Sequence, residues 1–333
     1  MYYRYKVVNK KRGFRKTIVA IVLIGAVLFL GYRYRHHLQF WKYSGNKLEQ
    51  QVAKARSIKD GGRRLEELEG ISEDIDRYKL SNLTDSDAYL LSGKVHYLVG
   101  ESHMGGSFSD LVINDRTADI APLAERELFI AMRDIRKAAS LTGSGKVGME
   151  YSLILAKASF YTRYLTPAEI KSIVSEAGNP EDIADIDDVR FFSMILMLNK
   201  EEDRSIRLLT ERKGAVTGLQ GKLFLASSEK SAKRYTNAII HYSEVLKETG
   251  DDRIRKLVHL NMGEIYFNQS LFQESLTHFI SAGEIDKGDL NVKIWMGKNY
   301  NALGDKEKAK SIWNEVLLAD KTNKEAKRLL GVL

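Results

Sequence analysis

Phosphate binding is the first chemistry to test in this sequence, because Gly143–Lys146 reads Gly-Ser-Gly-Lys, as at the end of a nucleotide-binding loop. Such a loop needs Gly five residues before its last Gly, and Ser or Thr directly after the Lys. Ser140 and Val147 occupy these two positions here. Gly221 and Lys222 fail the same two requirements. We therefore predict ordinary loops or helix ends at both places.

Metal and proton-transfer chemistry would need closely spaced histidines and carboxylates. The seven His stand at positions 36, 37, 96, 103, 241, 259 and 278, and no two have the spacing of the metalloprotease motif. The acidic run 181–188 lacks the spacing and the Gly of a calcium loop, and it is interpreted as the start of a helix. We expect no catalytic residue, no metal site and no cofactor, so the chain is predicted not to be an enzyme. A Ser-His-Asp site assembled across the fold stays open.

Composition narrows the classes of protein further. The 333 residues include no Cys, which excludes disulfides, thiolate metal sites and a cysteine nucleophile. Only three Pro are present, which favours long helices. The net charge of +8 comes from one end, because residues 1–47 hold 11 Lys and Arg and no Asp or Glu. The remainder is nearly neutral, so a nucleic-acid partner is not expected.

Residues 17–32 form a run of sixteen uncharged and mostly apolar side chains. As a helix the run would be ~24 Å long, and a hydrocarbon core is ~30 Å thick. Lys16 and Arg33 can make up the difference by reaching the lipid headgroups. The bulky, cationic residues that follow do not form the small-residue site of a cleaved signal peptide. We predict an uncleaved anchor that crosses the lipid bilayer once.

The basic residues flank this run unequally. Seven Lys and Arg lie within residues 1–16, and four lie within 33–47. Because positive charge accumulates on the cytoplasmic side, we predict a cytoplasmic amino terminus at the inner membrane. The rest of the chain would then lie in the periplasm.

The last hundred residues repeat every 34 positions. Gly263, Gly297 and Gly331 have this spacing, and a large apolar residue precedes each of them. Three further columns have members 34 residues apart, namely Tyr266 with Tyr300, Ser275 with Ala309, and Phe279 with Trp313. Small residues allow two helices to approach closely, and aromatic residues fill the space between neighbouring pairs. The period therefore predicts stacked pairs of helices.

These columns resemble the tetratricopeptide repeat, a 34-residue helix–turn–helix unit. One unit matches the family pattern at Met262, Gly263, Tyr266, Phe272, Ser275, Phe279 and Ala282, with Ser270 in place of the turn Gly. The next unit matches at Met296, Gly297, Tyr300, Gly304, Ala309, Trp313 and Val316. The resemblance implies an all-α fold, an α-solenoid that follows an N-terminal transmembrane helix. We expect a lone closing helix to begin at Leu330 and Gly331.

The pattern is weaker toward the amino terminus. Gly93 and Gly100 are seven residues apart, as the two Gly of the family are, and a second helix is predicted over Leu123–Leu141 after an insertion at 101–121. Helix pairs are also predicted over 148–177 and 186–213, as degenerate units or as unrelated hairpins. The predicted segments are a basic segment (1–16), the anchor (17–32), a juxtamembrane stalk with the first helices (33–80), a degenerate repeat region (81–215), and a tetratricopeptide domain with a capping helix (216–333).

In this family a groove lined by the first helix of each pair binds protein partners. The matching columns place two sets of residues in the groove: Leu260, Glu264, Phe267 and Asn268, and then Ile294, Lys298, Asn301 and Ala302. Glu264 stands where the carboxylate-binding version of the family has Asn, which argues against capture of a chain terminus.

The anchor and the resemblance together imply a scaffold or adaptor that binds other proteins in a cell-envelope complex, such as the collar of a periplasmic flagellar motor. The protein is expected to form homo- or hetero-oligomers within such an assembly. Two alternatives stay open. One is a chaperone-like protein beside the translocon, and the other is a receptor whose repeats face the cytosol.

Overall fold

A computed structural model describes residues 44–105, 108 and 120–332, and the predicted anchor at 17–32 lies outside these residues. Fifteen α-helices form the described part of the chain. They are α1 (Gly45–Arg56), α2 (Gly61–Ser81), α3 (Ser86–Met104), α4 (Pro122–Leu141), α5 (Met149–Tyr161), α6 (Pro167–Ala177), α7 (Ile186–Leu198), α8 (Glu202–Glu211), α9 (Gly218–Ser231), α10 (Tyr235–Glu248), α11 (Asp252–Asn268), α12 (Phe272–Ile285), α13 (Leu290–Ala302), α14 (Lys306–Ala319) and α15 (Lys324–Leu330). Among these helices, none has the length and apolar character needed to cross a membrane.

Several helices begin at polar side chains that accept hydrogen bonds from the first backbone N–H groups. Thr166 and Glu169 cap α6 reciprocally, and Pro167 supplies the first helical residue. Asp185 begins α7, where its carboxylate accepts from the N–H groups of Asp187 and Asp188 at 2.9 and 3.1 Å. The interpretation of the acidic run as a helix start is therefore confirmed at Asp185.

Successive helices fold back on each other as hairpins, and the hairpins stack in chain order. Helix α4 covers the segment in which a second helix was predicted, and α5–α6 and α7–α8 lie within 148–177 and 186–213. The predicted all-α architecture of stacked helix pairs is confirmed for the described residues. Helices α1 and α2 also pack on the body, because Leu48, Val52 and Ile75 share a buried cluster with Leu91 of α3.

Close contact at Gly explains the 34-residue columns. A Cβ added to Gly263 would lie 2.8 Å from Cε2 of Phe279, and one added to Gly297 would lie 2.2 Å from Nε1 of Trp313. The Ser275 hydroxyl donates to the carbonyl of Gly263 at 2.8 Å. Each first helix therefore presses its Gly against the aromatic ring of its own second helix. The close approach at Gly was predicted, whereas the aromatic residues were predicted to lie between neighbouring pairs.

Five hairpins turn through the same backbone geometry. The turn residue has a left-handed conformation in each, with φ of 52° at Arg163, 60° at Lys200, 60° at Lys233, 62° at Ser270 and 92° at Gly304. The following residue donates its N–H to the carbonyl five positions earlier, at 2.8–2.9 Å, which closes the end of the first helix. The repeat geometry thus extends from α5 to α14. The units over 148–177 and 186–213 share this turn with the regular units.

The closing helix differs from the prediction. It runs over Lys324–Leu330, and Gly331 ends it in a left-handed conformation with φ of 71°. The expectation that a helix begins at Leu330 and Gly331 is wrong. The 34-residue spacing of Gly331 is real, but this Gly serves as a helix stop, whereas Gly263 and Gly297 lie inside their helices.

Candidate functional site

The first helices of the carboxyl-terminal hairpins carry the predicted partner-binding residues. Glu264 of α11 forms an ion pair with Lys230 of α9. Lys298 of α13 pairs with Glu325 of α15 at 2.9 Å, and its ammonium group lies 4.5 Å from the centroid of the Trp295 ring. These contacts connect consecutive first helices. The charged groups at Glu264 and Lys298 therefore link consecutive units.

Aromatic side chains form the next layer of this surface. The ring of Phe267 meets Trp295 edge-to-face at 5.3 Å between centroids, and it meets Phe272 at the same distance. Trp295 stacks on Phe279 at 5.3 Å with an interplanar angle of 5°. Phe267 and Trp295 are both half-buried. We call Phe267, Trp295 and the exposed residues Asn268 and Asn301 the α11–α13 surface.

One predicted binding residue is misplaced. Ile294 is only 4% exposed and belongs to a buried cluster with Trp313 and Ala326, so it cannot meet a partner here. Its backbone carbonyl accepts a hydrogen bond from Nε1 of Trp313, which fixes this side of α13 against α14. Leu260 is half-buried beside the cluster of Phe279 and Val292. Asn268, Asn301 and Ala302 are exposed, as a binding surface requires.

A second candidate site lies among the first helices of the amino-terminal hairpins, where sequence reasoning placed none. A cleft of about 500 Å³ is lined by α3, α5 and the segment that leads into α7. In it Lys157, only 7% exposed, pairs with Asp188 at 2.5 Å. Tyr97 donates to Oε1 of Glu101 at 2.8 Å. No motif reveals these four residues, because they come from three helices that are distant in the chain: Tyr97 and Glu101 from α3, Lys157 from α5 and Asp188 from α7.

Burial and charge perturb these groups together. Burial raises the pKa of Glu101, and the nearby Asp187 and Asp188 charges add to the rise. Burial opposes the charged form of Lys157, but the carboxylates of Asp188 and Glu101 raise its pKa overall. Lys157 therefore stays an ammonium ion, and the carboxylates around it are crowded.

A buried polar cluster near α2 has the geometry of a metal site but another role. Asp76, His96 and Asp134 present ligand atoms within 4.8 Å of one another. The ammonium group of Lys79 already lies 2.7 Å from Asp76 and 2.6 Å from Asp134. Because a lysine supplies the positive charge that these carboxylates need, the cluster is a structural ion pair that joins α2 to α4.

The two Gly-Lys pairs that were tested for phosphate binding lie in a loop and on a helix. Gly145 and Lys146 lie in the loop between α4 and α5. Lys222 lies on α9 and pairs with Glu244 at 3.0 Å. His36 and His37 lie outside the described residues.

No family profile matches the sequence, and a comparison with curated proteins also gives no match. Among solved structures, the carboxyl-terminal part of a tetratricopeptide-repeat-containing protein from Cytophaga hutchinsonii is 12% identical with a TM-score of 0.48, covering 86% of this chain and 99% of that one. MamA from AMB-1 is 16% identical with a TM-score of 0.42, covering 53% and 98%. MamA from Desulfovibrio magneticus RS-1 is 11% identical with a TM-score of 0.42, covering 53% and 97%.

Similarity at these sequence identities and TM-scores does not support a conclusion about function. The helix pairs, the Gly–aromatic contacts and the shared turn stand on the geometry of the chain itself. The described part of this protein is an all-α stack of helix hairpins, and its carboxyl-terminal units have the packing of tetratricopeptide repeats.

Proposed function

We propose that this protein is a membrane-anchored scaffold or adaptor whose helical repeats bind other proteins. The observation that carries the proposal is the α11–α13 surface, where the half-buried rings of Phe267 and Trp295 meet edge-to-face and the amides of Asn268 and Asn301 are exposed on the same two helices. Aromatic residues, Trp above all, are enriched among the few residues that carry most of the binding energy at protein interfaces, and amide side chains supply adaptable hydrogen bonds. A repeat array offers such a surface on consecutive first helices without any catalytic group.

Site-specific photo-cross-linking in cells tests this proposal. A photoreactive amino acid replaces Asn301, which is exposed on α13, or Ser311, which is exposed on the second helix α14. We expect cross-links to a few constant partners from Asn301 and far fewer from Ser311. Equal cross-linking from both positions, or none from Asn301, would contradict binding at this surface. A broad range of secreted chains would support the chaperone-like alternative.

Membrane attachment rests on the sequence of residues 17–32, with seven basic residues before the run and four after it. We propose a single-pass anchor in the inner membrane, with the amino terminus in the cytoplasm and the repeats in the periplasm. Protease added to intact and to outer-membrane-permeabilised cells distinguishes the orientations. Repeats that stay protected after permeabilisation would show the cytosolic orientation of the receptor alternative.

A cell-envelope machine, such as the collar of a periplasmic flagellar motor, is the setting we propose for this scaffold. The support is its layout, an anchor followed by a repeat array. Deletion of the gene in a motile host should then reduce motor assembly and swimming. Normal motility after deletion would remove the motor from the proposal without affecting the scaffold function.

A further inference from the structure

The turn between α1 and α2 concentrates positive charge at one end of a helix hairpin. Lys54 lies in the last turn of α1, Lys59 lies in the loop, and Arg63 and Arg64 lie in the first turn of α2. The two helices pack against each other, because their apolar side chains share one buried cluster. The end of α1 and the start of α2 therefore lie together, and so do these four cations. We call them the basic turn.

The acidic residues nearby leave the basic turn unpaired. Asp60 is the one acidic residue within 54–64, and its Oδ1 accepts the backbone N–H of Arg63 at 2.7 Å to cap α2. Glu66 and Glu67 lie one turn further along α2. Among the described residues, the four cations form no ion pair. The Nε atom of Arg64 is buried there without a hydrogen-bond partner.

Cations further along the chain differ from the basic turn. Lys79 of α2 lies 2.7 Å from a carboxylate oxygen of Asp76, and Lys94 of α3 lies 2.6 Å from one of Glu150. Residues 59–63 are all exposed, and a Cβ added to Gly61 would meet nothing within 4 Å. The basic turn is therefore open to an anionic surface, and its charge is available to one.

The place of the basic turn in the chain keeps it close to the proposed anchor. Residues 33–43 separate the anchor from Ser44, the first described residue, and they contain no Asp or Glu. Eleven residues reach at most ~40 Å, and α1 adds ~18 Å. The basic turn can therefore touch the bilayer that holds the anchor, and it cannot move far from that bilayer.

We propose that the basic turn binds the anionic lipid headgroups of this bilayer and so orients the repeats relative to the membrane. Lys and Arg side chains near an anionic lipid surface are attracted to it within about one Debye length. The inference rests on the proposed membrane attachment, because the anchor brings the turn to the lipid. It adds a second contact, which depends on lipid charge, whereas insertion of the apolar anchor does not.

Fluorescence quenching in lipid nanodiscs tests the inference on the full-length protein. The chain has no Cys, so Ser57→Cys provides one labelling position for a bimane fluorophore, exposed beside the basic turn. The discs contain a lipid with a nitroxide on its headgroup, in neutral phosphatidylcholine or in a mixture with anionic phosphatidylglycerol. At low salt we expect at least about twofold stronger quenching in the anionic discs. In about 1 M salt the difference should disappear, because the Debye length falls to about 3 Å.

Matched variants locate the contact. Lys59→Gln with Arg63→Gln removes two exposed charges from the basic turn, and at least half of the difference between the two lipids should be lost. Lys321→Gln with Lys324→Gln makes the same change in net charge at exposed positions of the carboxyl-terminal units, and it should leave the difference unchanged. A label at Ser311→Cys on α14 should be quenched equally in both lipids. Thermal melts verify that every variant folds.

Equal quenching at position 57 in the two lipids would overturn the proposal, and it would favour an acidic protein segment as the ligand of the basic turn. A difference that persists in high salt, or that persists in full after Lys59→Gln with Arg63→Gln, would also overturn it. Failure of the proposed anchor would be seen differently. The protein would then not co-purify with neutral discs at all, and the inference would be rejected together with the anchor.

Discussion

The amino-terminal and carboxyl-terminal parts of the described chain share a hairpin geometry but bury different chemistry. Before α10, several charged side chains are buried, among them Lys79, Asp134, Lys157 and Arg190. From α10 to α15 the buried polar residues are Ser275 and Asn299. Before α10, one large cluster extends from α3 to α9 and a second one joins α1, α2 and α3, whereas the later units have small clusters of their own.

This difference explains why sequence repetition is visible in one region and not in the other. A unit that packs with its own small cluster can use the same Gly and aromatic residue each time, as Gly263 with Phe279 and Gly297 with Trp313 do. A long-range contact such as the one from Arg190 to the carbonyl of Ala215 occurs once and has no counterpart in the next unit. Units whose sequences do not show the 34-residue pattern can therefore still have the same hairpin geometry.

The largest expected effect concerns the buried ion pair of the amino-terminal region. Asp134→Ala would leave Lys79 buried beside Ser92 without its main counter-charge. We expect a loss of about 3–5 kcal/mol in the free energy of unfolding, measured by urea denaturation. Replacing both residues, as Lys79→Met with Asp134→Leu, should restore most of the loss. A loss below about 1 kcal/mol for Asp134→Ala would mean that the pair does not support the fold.

The second-largest expected loss of stability concerns the close contact between Gly297 and Trp313 in the carboxyl-terminal units. Gly297→Leu would place a side chain in the space of the Trp313 indole, so overpacking should cost about 1–3 kcal/mol or more. Gly70→Leu is the matched control, because a Cβ at this helical Gly meets nothing within 4 Å. The midpoint of thermal unfolding should fall for the first variant only. An unchanged midpoint for Gly297→Leu would show that the repeat alignment is wrong.

The stability of the two regions should change in opposite directions as the pH falls. Burial and the nearby His259 lower the pKa of His278 to about 4, so between pH 6.5 and 4 the unfolded chain binds a proton that the folded chain does not. The α11–α12 hairpin should lose about 1–2 kcal/mol of stability as the pH falls through this range, allowing for partial exposure. Despite burial, Asp76 and Glu127 raise the pKa of His96, so its stabilising charge is fully present below pH 6.5 and is lost as the pH rises through its folded pKa.

Hydrogen–deuterium exchange resolved by segment measures both responses. Protection of α11–α12 should decrease on acidification, and His278→Gln should remove that decrease. Protection around His96 in α3 should not decrease over the same range. A parallel decrease in both segments would contradict the opposite signs.

The smallest effects test the turn that the two regions share. Ser270→Gly and Lys200→Gly each place Gly at a left-handed turn residue, and each should stabilise the protein by about 0.5–1 kcal/mol. Ser281→Gly, inside α12, should destabilise it by a similar amount. If only Ser270→Gly stabilised the protein, the turns of the two regions would differ in energy in spite of their common geometry.

Sequence reasoning was most accurate where packing is local. The Gly and aromatic columns fixed the pairing of α11 with α12 and of α13 with α14, since both partners of each contact lie within one 34-residue unit. The groove residues were assigned by the same columns, yet Ile294 is buried. Ile294 shares a cluster with Trp313 of its own unit and with Ala326 of α15, a helix that the alignment placed too late in the chain.

By itself the sequence determined that the chain is helical, where the regular units lie and which side chains pack between their helices. These properties depend on residues close together in the chain, and their period reveals them. Tertiary structure alone decided that Lys79 joins Asp134, that Lys157 joins Asp188, and that a cleft lies between α3, α5 and α7. Ion pairs between distant helices have no sequence period, because each forms wherever stacking brings opposite charges together in a poorly hydrated space.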